Sequence, residues 1–278
     1  MPREFFGRKK RLPVLFGFWL GLAAGVASAE DAVCLSEDLT VRRLEPDVYL
    51  VVHAFPWPAN ALFVLMPDSD AVLVDTPYTD EATERLIAWI REELGELRIR
   101  AINTHFHRDN LGGNGALIRR GIPVYGSDRT ARLLEERSDV TLHLLTDPGQ
   151  ARYLEALRNS PLTPPDRLFG IREGLLWRFG DDSVSVFYPG PGHSEDNVVV
   201  YFSGKRILFG GCLVKSLASR NPGFTGDADM EAWPGSLRNL LDRCPRARVV
   251  IPGHGEPGDL SLVRHTLGLA EIVWPAVH

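Results

Sequence analysis

The sequence predicts an α/β fold, an αβ/βα four-layer sandwich in which two mixed β-sheets pack face to face with helices on the outer faces. Three observations lead there. Strand-like and helix-like stretches alternate in two similar halves, each a run of strands followed by strand–helix units. No low-complexity segment or long linker interrupts residues 30–278, which therefore read as one domain. An apolar run, then a Gly or Pro turn, then a residue able to bind metal recurs four times, as expected where strand ends meet at one edge of an α/β sheet.

Residues 1–29 read as an export segment. Arg8-Lys9-Lys10-Arg11 is a positive start, Leu12 to Val26 is apolar, and Ala27-Ser28-Ala29 is a cleavage signal, so cleavage after Ala29 and a periplasmic location are expected. The alternative, an uncleaved anchor, is disfavoured because the apolar run is shorter than the roughly 20 residues that span a bilayer. The formal net charge is −5 and grows more negative once Arg3, Arg8, Lys9, Lys10 and Arg11 leave together with Glu4. Nucleic acid and anionic membrane both require a basic face, so neither is expected as a partner of the mature form. A monomer is expected.

The elements follow in order. Residues 39–75 form a β-meander, with runs at Val48–Val52, Leu62–Leu65 and Ala71–Val74. Pro56 and Pro58 cannot join a ladder, so the turn from Phe55 to Asn60 should project from the sheet. Thr79 and Asp80 open a helix whose Ala82, Leu86, Ile90 and Leu94 share a face, with acids at its positive end and Gly95 near its stop. Ile99–Ile102 is a strand, Gly115–Arg120 a short helix and Pro123–Tyr125 a strand. Residues 127–168 form a helical excursion, with helices over Arg129–Arg137 and Gln150–Asn159 before the breaker at Pro161–Pro165. Strands resume at Leu175–Phe179, Val184–Tyr188, Val198–Phe202 and Arg206–Phe209. A helix over Met230–Leu241, a strand at Arg248–Ile251 and a helix over Leu260–Val273 close the chain.

The chemistry gathers at the four strand ends. His105, His107 and Asp109 follow Ile102; alone, they could equally be a polar turn that happens to hold two histidines. His193 follows Pro189-Gly190-Pro191-Gly192, Cys212 follows Gly210-Gly211, and His254 follows Pro252-Gly253. The other four of the eight histidines, His53, His143, His265 and His278, lack this pattern and read as structural or solvent-facing. Four histidines, an aspartate and a cysteine are too many ligands for one tetrahedral zinc but suit two ions with three protein ligands each and a position left for water. A metal-bound thiolate would also account for one of the three cysteines in an oxidising compartment; whether Cys34 and Cys244 pair is left open. The residues thus argue for an exported, metal-dependent hydrolase.

These segments, His105-Phe106-His107-Arg108-Asp109, Gly190–Ser194, Gly210-Gly211-Cys212 and Pro252-Gly253-His254, resemble the metallo-β-lactamase superfamily, in the same order and across most of the chain. Thioesterases, lactonases and nucleases of that superfamily usually carry histidine at the position of Asn110 and a bridging aspartate at that of Cys212. A cysteine there with Lys215 three residues on, and the run from Gly226 to Pro234, is similar to the zinc β-lactamases of subclass B1. The mono-zinc subclass normally has asparagine at the position of His105. The resemblance implies two zinc ions, one on His105, His107 and His193 with a zinc-bound hydroxide, the other on Asp109, Cys212 and His254. Asp109 would also shuttle a proton. The implied activity is hydrolysis of the β-lactam ring of penicillins, cephalosporins and carbapenems, with Lys215 pairing the substrate carboxylate and Phe55 and Trp57 as an apolar lid.

Phe224 stands where many relatives carry an asparagine that helps hold the developing oxyanion, and it is counted among the substrate-facing residues. The short tip loop and extended helical excursion resemble a minority of the subclass. A thioester or lactone hydrolase of the same fold is the alternative, and a non-catalytic zinc-binding protein a more distant one. Phe106 and Arg108 alternate with the ligands and should face away from the metals.

Overall fold

A computed structural model describes residues 32–137 and 139–273. The export segment and His278 lie outside the described residues. The first sheet begins as an antiparallel meander of β1 (Ala32–Cys34), β2 (Leu39–Glu45), β3 (Val48–Ala54), β4 (Pro58–Met66) and β5 (Asp70–Val74). It continues in parallel through β6 (Arg98–Ile102), β7 (Val124–Ser127) and β8 (Arg167–Phe169). The second sheet contains β9 (Leu175–Phe179), β10 (Asp182–Phe187), β11 (Val199–Phe202), β12 (Ile207–Gly211) and β13 (Val249–Pro252), in the spatial order β13-β12-β11-β10-β9. Only its β12–β13 pair is parallel, so both sheets are mixed, as the sequence predicts.

Period-2 strands with apolar residues on both faces demand cover on both sides, and the molecule supplies it. Leu50, Leu62 and Val72 of the first sheet meet Val186, Val200 and Phe209 of the second in the central core. On the far side of the first sheet, Leu86, Ile87 and Ile90 of α1 (Asp80–Leu94) pack on Phe63, Leu73 and Ala101. Fully burying each such side chain contributes about 1.5–3 kcal/mol. Thr79 caps α1, its hydroxyl accepting from the Ala82 N–H at 3.2 Å, while Asp80 and Glu81 sit at the positive end. On the far side of the second sheet lie α7 (Trp233–Arg243) and α8 (Ser261–Val273), joined through Leu237, Leu240, Leu262 and Val263.

Between β6 and β7 lie α2 (Arg108–Leu111) and α3 (Asn114–Arg119), and the excursion holds α4 (Asp128–Glu136), α5 (Val140–Leu144) and α6 (Ala151–Arg158). Two expectations change. Pro58 joins the first sheet after all, opposite Ala54, because it is the first residue of its strand. The tip loop therefore shrinks to Phe55-Pro56-Trp57. The helix expected from Met230 begins at Trp233: the Asp229 side chain accepts from the Ala232 N–H at 2.9 Å and its carbonyl from the Trp233 N–H at 3.0 Å, with Pro234 in the first turn.

Candidate metal centre

The loop after β6 is pinned before it reaches its ligands. Asn103 and Asn114 exchange side-chain amide hydrogen bonds of 3.0 and 2.8 Å, and Asn103 also donates to the Asn110 carbonyl. Asp75, just past β5, holds a left-handed backbone at φ 60 and accepts from the backbone N–H and hydroxyl of Thr104 at 2.7 and 2.8 Å. Burial nevertheless pushes its carboxyl well above the usual range, against those two bonds. Cys212 follows β12 directly, after Gly211 at φ +54. Gly253 is required by packing: a Cβ there would lie 2.4 Å from Cys212 Sγ, so a bare backbone is what lets the His254 loop pass.

Two triangles of donor atoms result. His105 Nε2 lies 3.0 Å from His107 Nδ1, which lies 3.2 Å from His193 Nε2. Cys212 Sγ lies 3.4 Å from both Asp109 Oδ2 and His254 Nε2, and those two are 3.2 Å apart. The triangles adjoin, since the ligand atoms of His105, His193 and Cys212 all fall within 4.8 Å of one another, as do those of His105, His107 and Asp109. Such separations are close to the edge of a zinc tetrahedron, about 3.3 Å for bonds of 2.0–2.1 Å to nitrogen.

The outward-facing atoms are arranged to match. His107 Nε2 meets Asp227 Oδ2 at 2.9 Å and His254 Nδ1 meets the Pro58 carbonyl at 2.7 Å, so each ring turns a lone pair inward. His193 Nδ1 is buried without a protein partner. Asn110 donates to Asp109 Oδ1 at 2.9 Å, leaving Oδ2 for the triangle. Burial holds the His105 and His193 imidazoles well below their ordinary pKa, reinforced by His107 beside the first and Lys215 beside the second. Burial pushes the Asp109 carboxyl up, but the His254 hydrogen bond and the surrounding imidazoles outweigh it and hold it well down. Neutral imidazoles and an ionised carboxylate are the forms that bind metal. The six residues fit two zinc-sized ions.

A family model described as the metallo-beta-lactamase superfamily matches residues 54–254, a stretch that includes all six donors. The chain belongs to the metallo-beta-lactamase superfamily. It is 34% identical over 234 residues to a metallo-beta-lactamase type 2 of Pseudomonas aeruginosa, covering 82% of this chain and 83% of that one. It is 31% identical over 244 residues to a protein of the same name from Bacteroides fragilis, covering 86% and 88%. A solved metallo-beta-lactamase from Pontibacter korlensis superposes with a TM-score of 0.69 at 36% identity, covering 84% of this chain and 99% of that chain. Two mixed sheets with outer helices are the fold that superfamily shares with this chain.

The superfamily resemblance also singled out residues around the donors. Lys215 is buried, its Nζ 5.4 Å from the centroid of the Trp233 ring, and burial lowers its ammonium pKa against the pull of Cys212 and Asp109. Phe224 lies edge-on to His107, ring centroids 5.9 Å apart. Trp57 is exposed on the tip loop. Phe55 is half-buried instead, stacked on His53 at 5.5 Å and edge-on to Tyr153 of α6 at 4.7 Å. His53 is structural, accepting at Nδ1 from the Tyr78 N–H. Cys34 and Cys244 are both free, one exposed and one buried.

Phe106 and Arg108 do face away. Phe106 packs on Leu111 and Leu133, while Arg108 reaches Asp139 and the Ser160 carbonyl in the excursion. Sequence reasoning missed the outer partners Asp227, Asn60 and Asp75. Asp227 stood inside a run already noted for its resemblance, but its partner His107 is far away in the chain and no spacing links them.

Proposed function

We propose that the chain is a zinc β-lactamase that hydrolyses the amide of the β-lactam ring in penicillins, cephalosporins or carbapenems. His105, His107 and His193 would hold one zinc, and Asp109, Cys212 and His254 the other. The observation that carries this reading is the second triangle, with Lys215 three residues beyond Cys212. The thiolate and nearby lysine match the subclass B1 resemblance and differ from the bridging aspartate of thioesterases and lactonases. Relatives bearing the metallo-beta-lactamase name over most of their length support the same substrate class.

Zinc bound there would supply Lewis acidity and a water acidic enough to attack an amide carbonyl near neutral pH. The protein's own groups orient that chemistry. Asp227 and the Pro58 carbonyl fix the tautomers of His107 and His254, and Asn110 fixes the Asp109 carboxylate, which would also carry the proton to the leaving nitrogen. A substrate carboxylate would pair with Lys215, whose ammonium gains most from an anion because it is buried. Phe224 offers an apolar wall and no donor, so no side-chain amide assists the oxyanion at that position. Trp57 would give the cleft an exposed aromatic edge, while Phe55 packs on His53 and Tyr153. Export by the leader, cleavage after Ala29, a periplasmic location and a monomeric mature form complete the reading.

Turnover of a penicillin, a cephalosporin, a carbapenem, a thioester and a lactone by the zinc-loaded protein tests it. Hydrolysis of at least one β-lactam class far above the thioester and lactone is expected. Turnover of the thioester or lactone with all three β-lactams intact would replace this reading with the alternative hydrolase.

A further inference from the structure

Helix α4 does more than cover the first sheet. Arg129 stands in its first turn and Arg137 at its C-terminal cap, where the backbone is already extended, and both pair with Glu195. Glu195 is two residues past His193. Arg137 also grips Asp227 Oδ1, the oxygen that His107 does not use. One guanidinium therefore spans carboxylates from two loops, one carrying His193 and the other carrying the outer partner of His107. Its Cζ lies 5.7 Å from the centroid of the Phe106 ring, between two ligands of the first triangle. The His193 loop has a second tether to α4, Thr130 donating to Asp196 Oδ2 at 2.8 Å. Loss of Arg137 alone should therefore not release it.

We propose that Arg137 is a positioning residue for the first metal set, acting through Asp227 on His107. A carboxylate held only by one imidazole can turn about its Cβ–Cγ bond. A guanidinium N–H on the other oxygen fixes its plane, and here Arg137 Nη1 takes that oxygen while Nη2 holds Glu195. Asp227 Oδ2 then stays aimed at His107 Nε2, which keeps the proton there and the lone pair on Nδ1, the atom facing His105 and His193. Glutamine at 137 could bond one carboxylate but not span both, and lysine could reach either as a point charge without the planar guanidinium.

This inference rests on the ligand assignment proposed above. Its test is cobalt(II) titration of metal-free protein against a competing chelator, with no β-lactam involved. Thiolate-to-cobalt absorption from Cys212 reports the second set, while the ligand-field bands and total cobalt bound report the first. In Arg137→Gln the first set should weaken about tenfold, the low end for loss of an outer partner. The Cys212 absorption should keep its wild-type midpoint, and Arg137→Lys should recover part of the loss. A metal-free melting temperature within a few degrees of wild type would accompany this result. First-set affinity equal to wild type, or equal weakening of both sets, overturns the proposal while leaving the ligand assignment standing. Cobalt bound by wild type only at the Cys212 set overturns both.

Discussion

Replacing Arg108 with alanine should destabilise the chain severely although the residue binds no metal. Arg108 is 2% exposed and sits between two ligands. Its guanidinium pairs with Asp139 and donates to the Ser160 carbonyl at 2.7 Å, joining the loop after β6 to both ends of the segment that holds α5 and α6. Asp139 is itself spoken for, since its other oxygen caps α5 by accepting from the Thr141 N–H at 3.1 Å. Alanine would leave that largely buried carboxylate without its cation and the Ser160 carbonyl without its donor. Removing one partner of a buried pair costs about 3–5 kcal/mol. A domain of this size loses about 2–4 °C per kcal/mol, so the melting temperature should fall by about 6–20 °C. Calorimetry on metal-free protein measures this without ligand stabilisation masking it. The double variant Arg108→Ala/Asp139→Ala should cost less than the two single changes added together, because it strands no charge. A fall under about 2 °C, or strict additivity in the double variant, would refute the reasoning.

Other outcomes follow from the same geometry. Cys212→Ser should lower zinc from two ions to one per chain by metal analysis and cut kcat/KM by more than the roughly 100-fold reached when an outer partner is lost. Asn60→Ala removes two 2.8 Å bonds to the carbonyls of Pro252 and Gly255 that hold the His254 loop. A loss of about 1–3 kcal/mol in urea unfolding and weaker binding at the Cys212 set should follow. Burial lowers the His53 imidazole to about 4, against an opposing pull from Asp38. Between pH 6.5 and 4 the unfolded chain then takes up a proton that the folded chain refuses, so stability should decline as pH falls through that window, by about 3 kcal/mol in total. His53→Gln should flatten this part of the metal-free stability profile; an unchanged slope would assign it to other groups.

What could be read from the chain and what could not divide along sequence separation. Ala82, Leu86 and Ile90 announce α1 because a helix face repeats within one segment, and Ile99–Ile102 announces β6 for a similar local reason. The six candidate donors were legible because they follow four strands, three of them after β6 alone, and strand ends converge. Strands β1 and β8 have three residues each and α5 has five, too few for a period to show. Pro58 was misread because the rule against proline in a ladder relaxes at a strand's first residue. The pairs that orient the donors, Asp227 with His107, Pro58 with His254 and Asn60 with Pro252, are separated by 120, 196 and 192 residues. No local pattern encodes them. Phe55 belongs with these: its place against Tyr153 depends on the excursion folding back over the tip loop.

Zinc stoichiometry measured in the same samples as turnover on a panel of penicillins, cephalosporins and carbapenems tests the central claim most directly. Two zinc ions per chain are expected, with hydrolysis lost on chelation and restored when zinc returns. Zinc-loaded protein that leaves all three classes intact would contradict it.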